Sequence, residues 1–327
     1  MALTMKEIKK YFAIEKKPRR GLMALEWVVL IYLLLTLLMV CFTYTKLANP
    51  EAMIWGRIRM VAITLALWGV YRLIPCRITR FARVGAQLML LSWWYPDTYE
   101  LNRILPNLDH IFARAEQSLF GFQPALEFSR VLPGHIFSEL MDMGYASYFP
   151  MIAIVTAFYF LCRYTEFERA TFVIIASFFI FYVIFIALPV TGPQYYYPAV
   201  GFDEIARGVF PNVHDYFNTH NERMVSPGYH DGFFYQMVEQ AHEAGERPTA
   251  AFPSSHVGIS TVIMLLAWRT GNRRLFYLLL PFFVLMLFST VYIMAHYAID
   301  AIAGLITGVL MYVSLMAVSR KMKTSDR

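Results

Sequence analysis

The chain has 327 residues and a mass of 37.9 kDa; 58% of its residues are hydrophobic and only 16% are charged. Soluble domains contain about 45–50% apolar and about 25% charged residues, so this composition excludes a soluble globular, disordered, collagen-like or coiled-coil protein. The formal net charge is +6, and its meaning depends on where along the chain the basic residues lie.

Apolar stretches of about 20 residues, long enough to cross the hydrocarbon core of a bilayer as helices, recur along the chain. They predict an all-α, polytopic transmembrane helical bundle of about eight spans. Two of the eight are less regular: 84–95 is short, and 254–269 begins with Ser and His. The other six are 22–45, 52–74, 138–162, 170–189, 275–295 and 297–319.

The Lys and Arg residues give this bundle a direction. With eight spans and a cytoplasmic N-terminus, 20 of the 29 basic residues fall on the inner side, as the positive-inside rule requires. Both termini are then cytoplasmic, and the long segments 96–137 and 190–252 lie outside. The net charge therefore reflects topology against an anionic inner leaflet, and we predict no nucleic-acid partner.

The outer segments differ in character. Segment 96–137 has apolar residues at helical spacing between charges, which predicts a helix lying in the headgroup plane. Segment 190–252 is rich in Gly, Pro, Tyr and His and either covers a site or connects spans. We divide the chain into two regions. Residues 1–137 contain a basic arm, three spans and the interfacial helix. Residues 138–327 form a catalytic core with outer loop 190–252. The interfacial stripe is Leu101, Ile104, Leu105, Leu108, Ile111, Phe112, Ala115 and Leu119.

Two polar stretches, 252–258 and 289–300, stand at the predicted outer face and carry the candidate chemistry. His296 and Asp300 are four residues apart, so on one helix the carboxylate would accept a hydrogen bond from the imidazole and leave the other ring nitrogen free to attack an electrophile. His256 begins a different span. The residues before it, Ser254 and Ser255, supply hydroxyl and backbone donors at a helix N-terminus, where an anion such as phosphate binds well.

The two stretches resemble motifs of the type 2 phosphatidic acid phosphatase superfamily. The second motif of that superfamily, Pro-Ser-Gly-His, is similar to Pro253-Ser254-Ser255-His256, and the third matches Ser289, His296 and Asp300 in spacing, with Thr290 in place of Arg. The first motif, Lys, six residues, then Arg-Pro, is missing. The patterns Phe-Pro-Ser-x-His-x-Gly and His-Tyr-x-x-Asp look more like the branch of inositol phosphorylceramide synthases and, for the latter pattern, sphingomyelin synthases.

The resemblance implies His296 as a nucleophile that forms a phosphohistidine, Asp300 as its orienting partner, and His256 as general acid and then base, with no metal or other cofactor. A phospholipid donor and a ceramide-like lipid alcohol acceptor are the implied partners. Arg247, followed by Arg223, is the first candidate for a cation that holds the phosphate. The other candidate substrate-binding or phosphate-binding residues are Ser254, Ser255, Tyr195 and Tyr297.

The best specific function is transfer of inositol phosphate from phosphatidylinositol to ceramide or a similar lipid alcohol. A lipid phosphate phosphatase, which uses water as acceptor, and a non-enzymatic transporter are the alternatives. We expect a bacterial inner membrane with the site facing the periplasm, or an endomembrane with the site facing the lumen.

Several other polar residues receive a structural interpretation. The charged residues within spans, Glu26, Arg57 and Arg59, are expected to pair with each other or to reach the interface. Asp142 and Tyr145 either reach the site or hydrogen-bond between helices. The loop histidines have no zinc-site spacing and are expected to be scattered and solvated; they are His214, His220, His230 and His242.

Overall fold

A computed structural model describes residues 5–320, and in this part of the chain the fold is entirely helical, with no strand. Short 3₁₀ turns at Tyr44–Lys46 and Tyr216–Asn218 interrupt the connections. The α-helices are α1 (Met5–Phe12), α2 (Ala24–Phe42), α3 (Pro50–Leu73), α4 (Arg77–Asn102), α5 (Asp109–Phe120), α6 (Pro124–Val131), α7 (His135–Ala146), α8 (Tyr148–Cys162), α9 (Tyr164–Ala187), α10 (Pro193–Val200), α11 (Phe202–Ala206), α12 (Phe233–Gly245), α13 (Ser255–Arg269), α14 (Arg273–Tyr292) and α15 (Ala298–Arg320).

Five of the described helices, α2, α3, α9, α14 and α15, are long and apolar enough to cross a membrane. A sixth span exists if α7 and α8, which meet at a bend of 45°, are counted together. These elements coincide with the six regular predicted spans and indicate an integral membrane protein. The stretch predicted as one straight span over 138–162 is broken at the bend.

The two remaining predicted spans fall on helices that do not satisfy this criterion. The stretch 84–95 is the middle of α4, a 26-residue helix that carries Arg, Asp and Glu side chains along its length. The stretch 254–269 is α13, which has only 15 residues and is surrounded by α8, α9, α14 and α15. Eight spans therefore stays a prediction, as does the cytoplasmic position of both termini.

Helices α13 and α15 lie in backbone contact. A Cβ atom added to Gly304 would lie 2.4 Å from the carbonyl oxygen of Ser254, and one added to Gly308 would lie 2.4 Å from that of Gly258. Small residues let transmembrane helices approach this closely. The contact continues at the helix N-termini, where the backbone N–H of Ser254 donates to the carbonyl of Asp300 over 3.0 Å.

The chain direction brings four helix ends together. Helices α9 and α14 end where α13 and α15 begin, so the connections of 188–192, 250–254 and 293–297 meet at one end of the bundle, called the site end below. The opposite end holds the N-terminal arm through ion pairs. These are Arg19–Glu168 and, at 2.6 Å, Arg80–Glu15, and a further pair at this end, Arg269–Glu166 at 3.1 Å, joins α13 to α9.

The apolar stripe predicted as one interfacial helix within 96–137 is divided between two helices. Leu101 belongs to α4 and is buried, and α5 starts only at Asp109. Helix α5 buries Asp109 and Glu116 while Leu119 is 64% exposed, and its position at a membrane interface stays a prediction. The apolar periodicity of this helix therefore marks its outward face, and its two acidic residues point to the interior of the fold.

Buried charges in the N-terminal helices are paired, but not as predicted. Arg57 of α3 forms two hydrogen bonds to Asp97 of α4, at 2.6 and 3.0 Å. Glu26 of α2 binds Arg83 of α4, with 2.7 Å between Glu26 Oε1 and Arg83 Nε. The pairing of Glu26 with Arg57 is excluded because each already has a partner on α4.

Candidate active site

His256 and His296 come from different parts of the bundle and meet at the site end. His256 is in the first turn of α13, and His296 lies in the segment between α14 and α15. Their ring centroids are 5.7 Å apart and the ring planes are inclined by 65°. This separation suits two groups that act on the same substrate atom in succession.

The His296 ring is oriented by a backbone carbonyl. Its Nδ1 atom is 2.8 Å from the carbonyl oxygen of Ala251, whereas Asp300 Oδ2 is 3.6 Å away, beyond hydrogen-bond distance. Because a carbonyl only accepts, Nδ1 carries the hydrogen and the lone pair of Nε2 is free. His296 lies before α15 and Asp300 within it, so the two residues do not share one helix as expected, and the orienting role of Asp300 stays a prediction.

Burial keeps the nucleophile candidate neutral. The His296 side chain is almost fully buried, and burial lowers its pKa to about 4, against the opposing effects of the Ala251 carbonyl and the charge of Glu246. A neutral imidazole is the form that has a lone pair for attack. The ring is thus in its reactive protonation state at neutral pH.

Asp300 instead fixes the start of α15. Its Oδ2 atom accepts a hydrogen bond of 2.9 Å from the backbone N–H of Tyr297, and its own carbonyl binds Ser254. The side chain is fully buried, and within residues 5–320 its Oδ1 atom has no hydrogen-bond partner. Asp300 therefore ties the segment of His296 to the helix of His256.

His256 lies between two tyrosine rings. Tyr145 of α7 stacks on it at 4.6 Å and Tyr148 of α8 lies at 4.5 Å, so Tyr145 contacts the site, and it also has the hydrogen bond between helices described next. His242 of α12 is buried and its Nε2 atom is 3.4 Å from the hydroxyl of Tyr145. The prediction of a solvated His242 was wrong, because α12 packs on α7 and encloses it.

Three backbone segments interlock beneath His296. The N–H of Gln194 donates to the carbonyl of Met294 over 2.9 Å, and the N–H of Ala251 donates to that of Val190 over 3.0 Å. Gly192, with φ of 90°, is so close that an added Cβ would lie 2.6 Å from the Ala295 carbonyl. Left-handed backbone at two non-glycine residues, Ala250 (φ 69°) and Met294 (φ 61°), flanks the same contact.

A comparison with protein families matches the part of the sequence that carries this site. The sequence model described as PAP2 superfamily matches residues 110–314, which is more than half of the chain and includes both histidines and Asp300. The chain belongs to the PAP2 superfamily. Its members are phosphatases and phosphotransferases, and comparisons with curated proteins and with solved structures gave no match. The predicted boundary at residue 137 stays a prediction.

Asp109 organises the PAP2 site and was missed in the sequence. Fully buried, it binds the backbone N–H groups of Thr191 (2.7 Å) and Gly192 (2.9 Å), the Thr191 hydroxyl, the Asn107 amide and the Tyr297 hydroxyl. Tyr297, predicted to bind substrate, is itself fully buried on Asp109 and therefore has a structural position. The apolar pattern around Asp109 gave no signal for this role.

Glu116, two turns after Asp109 in α5, contacts the start of α15. Its Oε1 atom accepts from the backbone N–H of Ala298, next to the Tyr297 N–H that Asp300 binds. Burial and the nearby charge of Asp300 raise the pKa of Glu116 to about 8. The carboxyl groups of Asp300 and Glu116 thus occupy the N-terminus of α15.

The predicted phosphate-binding residues around the PAP2 site divide into two groups. Ser254 is fully buried and accepts from the Val257 N–H over 3.4 Å as a helix cap, whereas Ser255 is half-buried at the first residue of α13. Tyr195 is buried beside Glu246, and the charges of Arg223 and Arg247 both act on it. A substrate-binding role for Ser254, Ser255 and Tyr195 stays a prediction.

The two candidate cations differ in their own partners. Arg223 is 13% exposed and pairs with Glu239 at 2.6 Å, while the exposed Arg247 donates to the Glu246 carbonyl over 2.8 Å. Burial raises the pKa of Glu239, but hydrogen bonds from His242, Arg223 and Ser226 outweigh this and bring it below its ordinary value. Arg223 is thus held in place next to the site, and Arg247 is solvated.

No group of three or more His, Cys, Asp or Glu side chains in residues 5–320 is placed to hold a metal ion.

Proposed function

We propose that this PAP2 protein is an integral membrane phosphotransferase that moves a phosphoryl-linked headgroup between lipids through a phosphohistidine. The single observation that carries the proposal is the pair of His256 and His296, 5.7 Å apart, with a neutral His296 oriented by the Ala251 carbonyl. Our specific proposal is transfer of inositol phosphate from phosphatidylinositol to ceramide or a similar lipid alcohol. The two motif patterns support this choice.

In the first step Nε2 of His296 attacks the phosphorus of the donor, a P–N bond forms, and the P–O bond to diacylglycerol breaks. His256, which takes up a proton when the anionic phosphate of the donor binds, gives this proton to the departing oxygen as general acid. The enzyme then carries the headgroup phosphate on His296. The contacts of Asp300 keep the segment of His296 in register with α13 during this step.

In the second step the acceptor hydroxyl gives its proton to His256, the acceptor oxygen attacks phosphorus, and the P–N bond breaks. Both histidines return to their starting states. The nonbridging oxygens of phosphorus carry charge throughout and need donors. We propose Arg223 and the N-terminus of α13 at Ser255 for this purpose, because Arg223 is partly buried and positioned by Glu239, unlike the solvated Arg247.

A lipid acceptor is favoured over water by the burial of the site. His296 is 4% exposed and His256 is enclosed by Tyr145 and Tyr148. Such surroundings exclude bulk water from a phosphoryl intermediate, which protects it from hydrolysis. We further propose that the site faces the periplasm or the lumen, as the distribution of basic residues indicates.

The test uses purified protein in detergent with phosphatidylinositol and ceramide. Wild type is expected to form inositol phosphorylceramide and diacylglycerol, and His296→Ala is expected to lose at least about 1,000-fold of this turnover because the covalent route is removed. His220→Ala, at an exposed loop histidine, is the matched control and should keep wild-type rates.

Three outcomes would contradict the proposal. Release of free phosphate from phosphatidic acid without headgroup transfer would assign a phosphatase with water as acceptor. Unchanged turnover in His296→Ala would exclude the phosphohistidine. Solute flux that His296→Ala leaves intact, in vesicles without any lipid turnover, would assign a transporter.

A further inference from the structure

Glu246, directly after α12, brings a carboxylate into the site that the two-step mechanism does not use. Its Oε1 atom accepts hydrogen bonds from the Tyr95 hydroxyl (3.1 Å) and from the Gln194 side-chain amide (3.3 Å). Gln194 is fixed in turn, because its backbone N–H binds the carbonyl of Met294, two residues before His296. Glu246 is therefore tied to the nucleophile segment through one residue.

The Glu246 carboxylate lacks a paired cation within residues 5–320. Among the residues that the structure describes, no Lys, Arg or His forms an ion pair with Glu246, and Arg223 is engaged by Glu239. Arg247 donates to the backbone carbonyl of Glu246. The negative charge of Glu246 acts on His296, because it raises the pKa of that ring while burial lowers it. A bound phosphate at His296 will therefore lie in the field of Glu246.

This field discriminates between phosphate esters. A phosphomonoester carries about −1.5 to −2 charges at neutral pH, whereas a phosphodiester carries one. A fixed negative charge without a counter-ion repels the monoester more strongly.

A second observation points to the chemistry of the ligand. Gln194 is 2% exposed, and its Oε1 atom has no hydrogen-bond partner among residues 5–320. Together with the Glu246 carboxylate it places two acceptors side by side. Acceptors are satisfied by hydroxyl or N–H donors, while a quaternary ammonium headgroup has no hydrogen to donate. The pair therefore matches a hydroxyl-bearing group.

We propose that Glu246 and Gln194 form a selectivity subsite that binds a hydroxyl-bearing group of a phosphodiester reaction and rejects phosphomonoesters. This inference rests on the proposed function. The hydroxyl comes from the polyol headgroup of the donor or from the alcohol of the acceptor, and both present the same donor to the two acceptors.

The first experiment measures turnover of phosphatidic acid and of phosphatidylinositol by full-length protein in detergent. In Glu246→Gln the ratio of monoester to diester turnover is expected to rise about tenfold, because one repulsive charge is removed. Glu246→Asp keeps the charge and should keep the wild-type ratio. Glu243→Gln removes an exposed charge from α12 and serves as the matched control.

The second experiment distinguishes the source of the hydroxyl. In Gln194→Leu, KM for phosphatidylinositol rises severalfold if the donor headgroup occupies the subsite, and KM for ceramide rises if the acceptor does. The kcat should change less than KM, which separates binding from a general loss of folding. Thermal unfolding in detergent identifies any variant that does not fold. If Gln194→Leu does not fold, Tyr95→Phe, which removes only one hydrogen bond to Glu246, is the milder variant to test.

The outcomes separate the two proposals. An unchanged monoester-to-diester ratio in folded Glu246→Gln, with His296→Ala inactive, would overturn the subsite and leave the phosphotransferase intact. The subsite is also overturned if neither KM changes in Gln194→Leu. If His296→Ala keeps full turnover, the phosphotransferase proposal fails, and the subsite fails with it.

Discussion

Buried charge is handled in opposite ways in the N-terminal helices and at the site end. In α2–α4 each buried charge has an opposite partner, Arg57 with Asp97 and Arg83 with Glu26. At the site end, Asp109 accepts hydrogen bonds from five neutral donors, and Asp300 and Glu116 accept from backbone N–H groups at the start of α15. None of these three forms an ion pair with a Lys or Arg among the described residues.

The difference separates stabilisation from function. In a low-dielectric interior, the Coulomb attraction between two paired charges offsets the free-energy cost of removing them from water. Each charge of such a pair interacts mainly with its partner. Carboxyl groups held by dipoles instead orient backbone segments without a paired cation, a pattern that is common at functional sites. Four variants test this contrast.

Arg57→Met is expected to have the largest effect on stability. It leaves Asp97 charged and unpaired in the interior, which should lower the free energy of unfolding by about 3–5 kcal/mol. The double variant with Asp97→Leu should recover most of this loss. Unfolding in mixed micelles measures both, and equal stability of the single and double variants would show that the pair is not a matched one.

Asp109→Asn should cost about 2–3 kcal/mol and most of the activity. The amide nitrogen would face donors that now bind Oδ2, at Thr191 and Asn107, so buried donors lose their acceptor. The kcat should fall more than KM rises, because the segment of His296 is displaced. A variant with wild-type kcat would show that Asp109 does not position the nucleophile.

Gly192→Ala is expected to cost about 1–3 kcal/mol, since its backbone at φ 90° is strained for alanine and its Cβ would lie 2.6 Å from a carbonyl oxygen. Gly201→Ala, at φ 103° with open space around the Cβ position, is the control for strain alone. Equal losses in both would assign the effect to backbone conformation and not to the contact with Ala295.

The smallest effect concerns pH. Glu116 has its pKa raised to about 8 in the folded protein from an ordinary 4.5, so its protonated form stabilises the fold below pH 4.5 and this contribution is lost as pH rises through about 8. Glu116→Gln stays neutral and should flatten the decline of melting temperature between about pH 5 and 8. An identical pH profile in wild type and variant would contradict the raised pKa.

The spans and the two histidines were predictable because their signals are local. Apolar length gives the spans, and the spacing of His256 and His296 from their neighbours gives the motifs. The partner of His296 was not predictable, because it is the backbone oxygen of Ala251, which any residue supplies. Helix-forming periodicity likewise gave no warning that the chain bends between Ala146 and Tyr148.

The interior carboxylates were the larger omission. Asp109 and Glu116 lie in a stretch with amphipathic spacing, where acidic residues normally face water, and only tertiary packing turns that face inward. The partners of Arg57 and Glu26 were missed for the same reason, since both are on α4, which was predicted as a short span without these contacts.

We expect the glycine contact between α13 and α15 to make the site less sensitive to the thickness of the surrounding bilayer. Helices respond to a thinner or thicker membrane by tilting, and helices separated by long side chains can tilt independently. Gly304 and Gly308 of α15 lie against backbone atoms at the start of α13, so the two helices are expected to tilt together. The spacing of His256 from Asp300 is then set by peptide geometry alone, whatever lipid surrounds the protein.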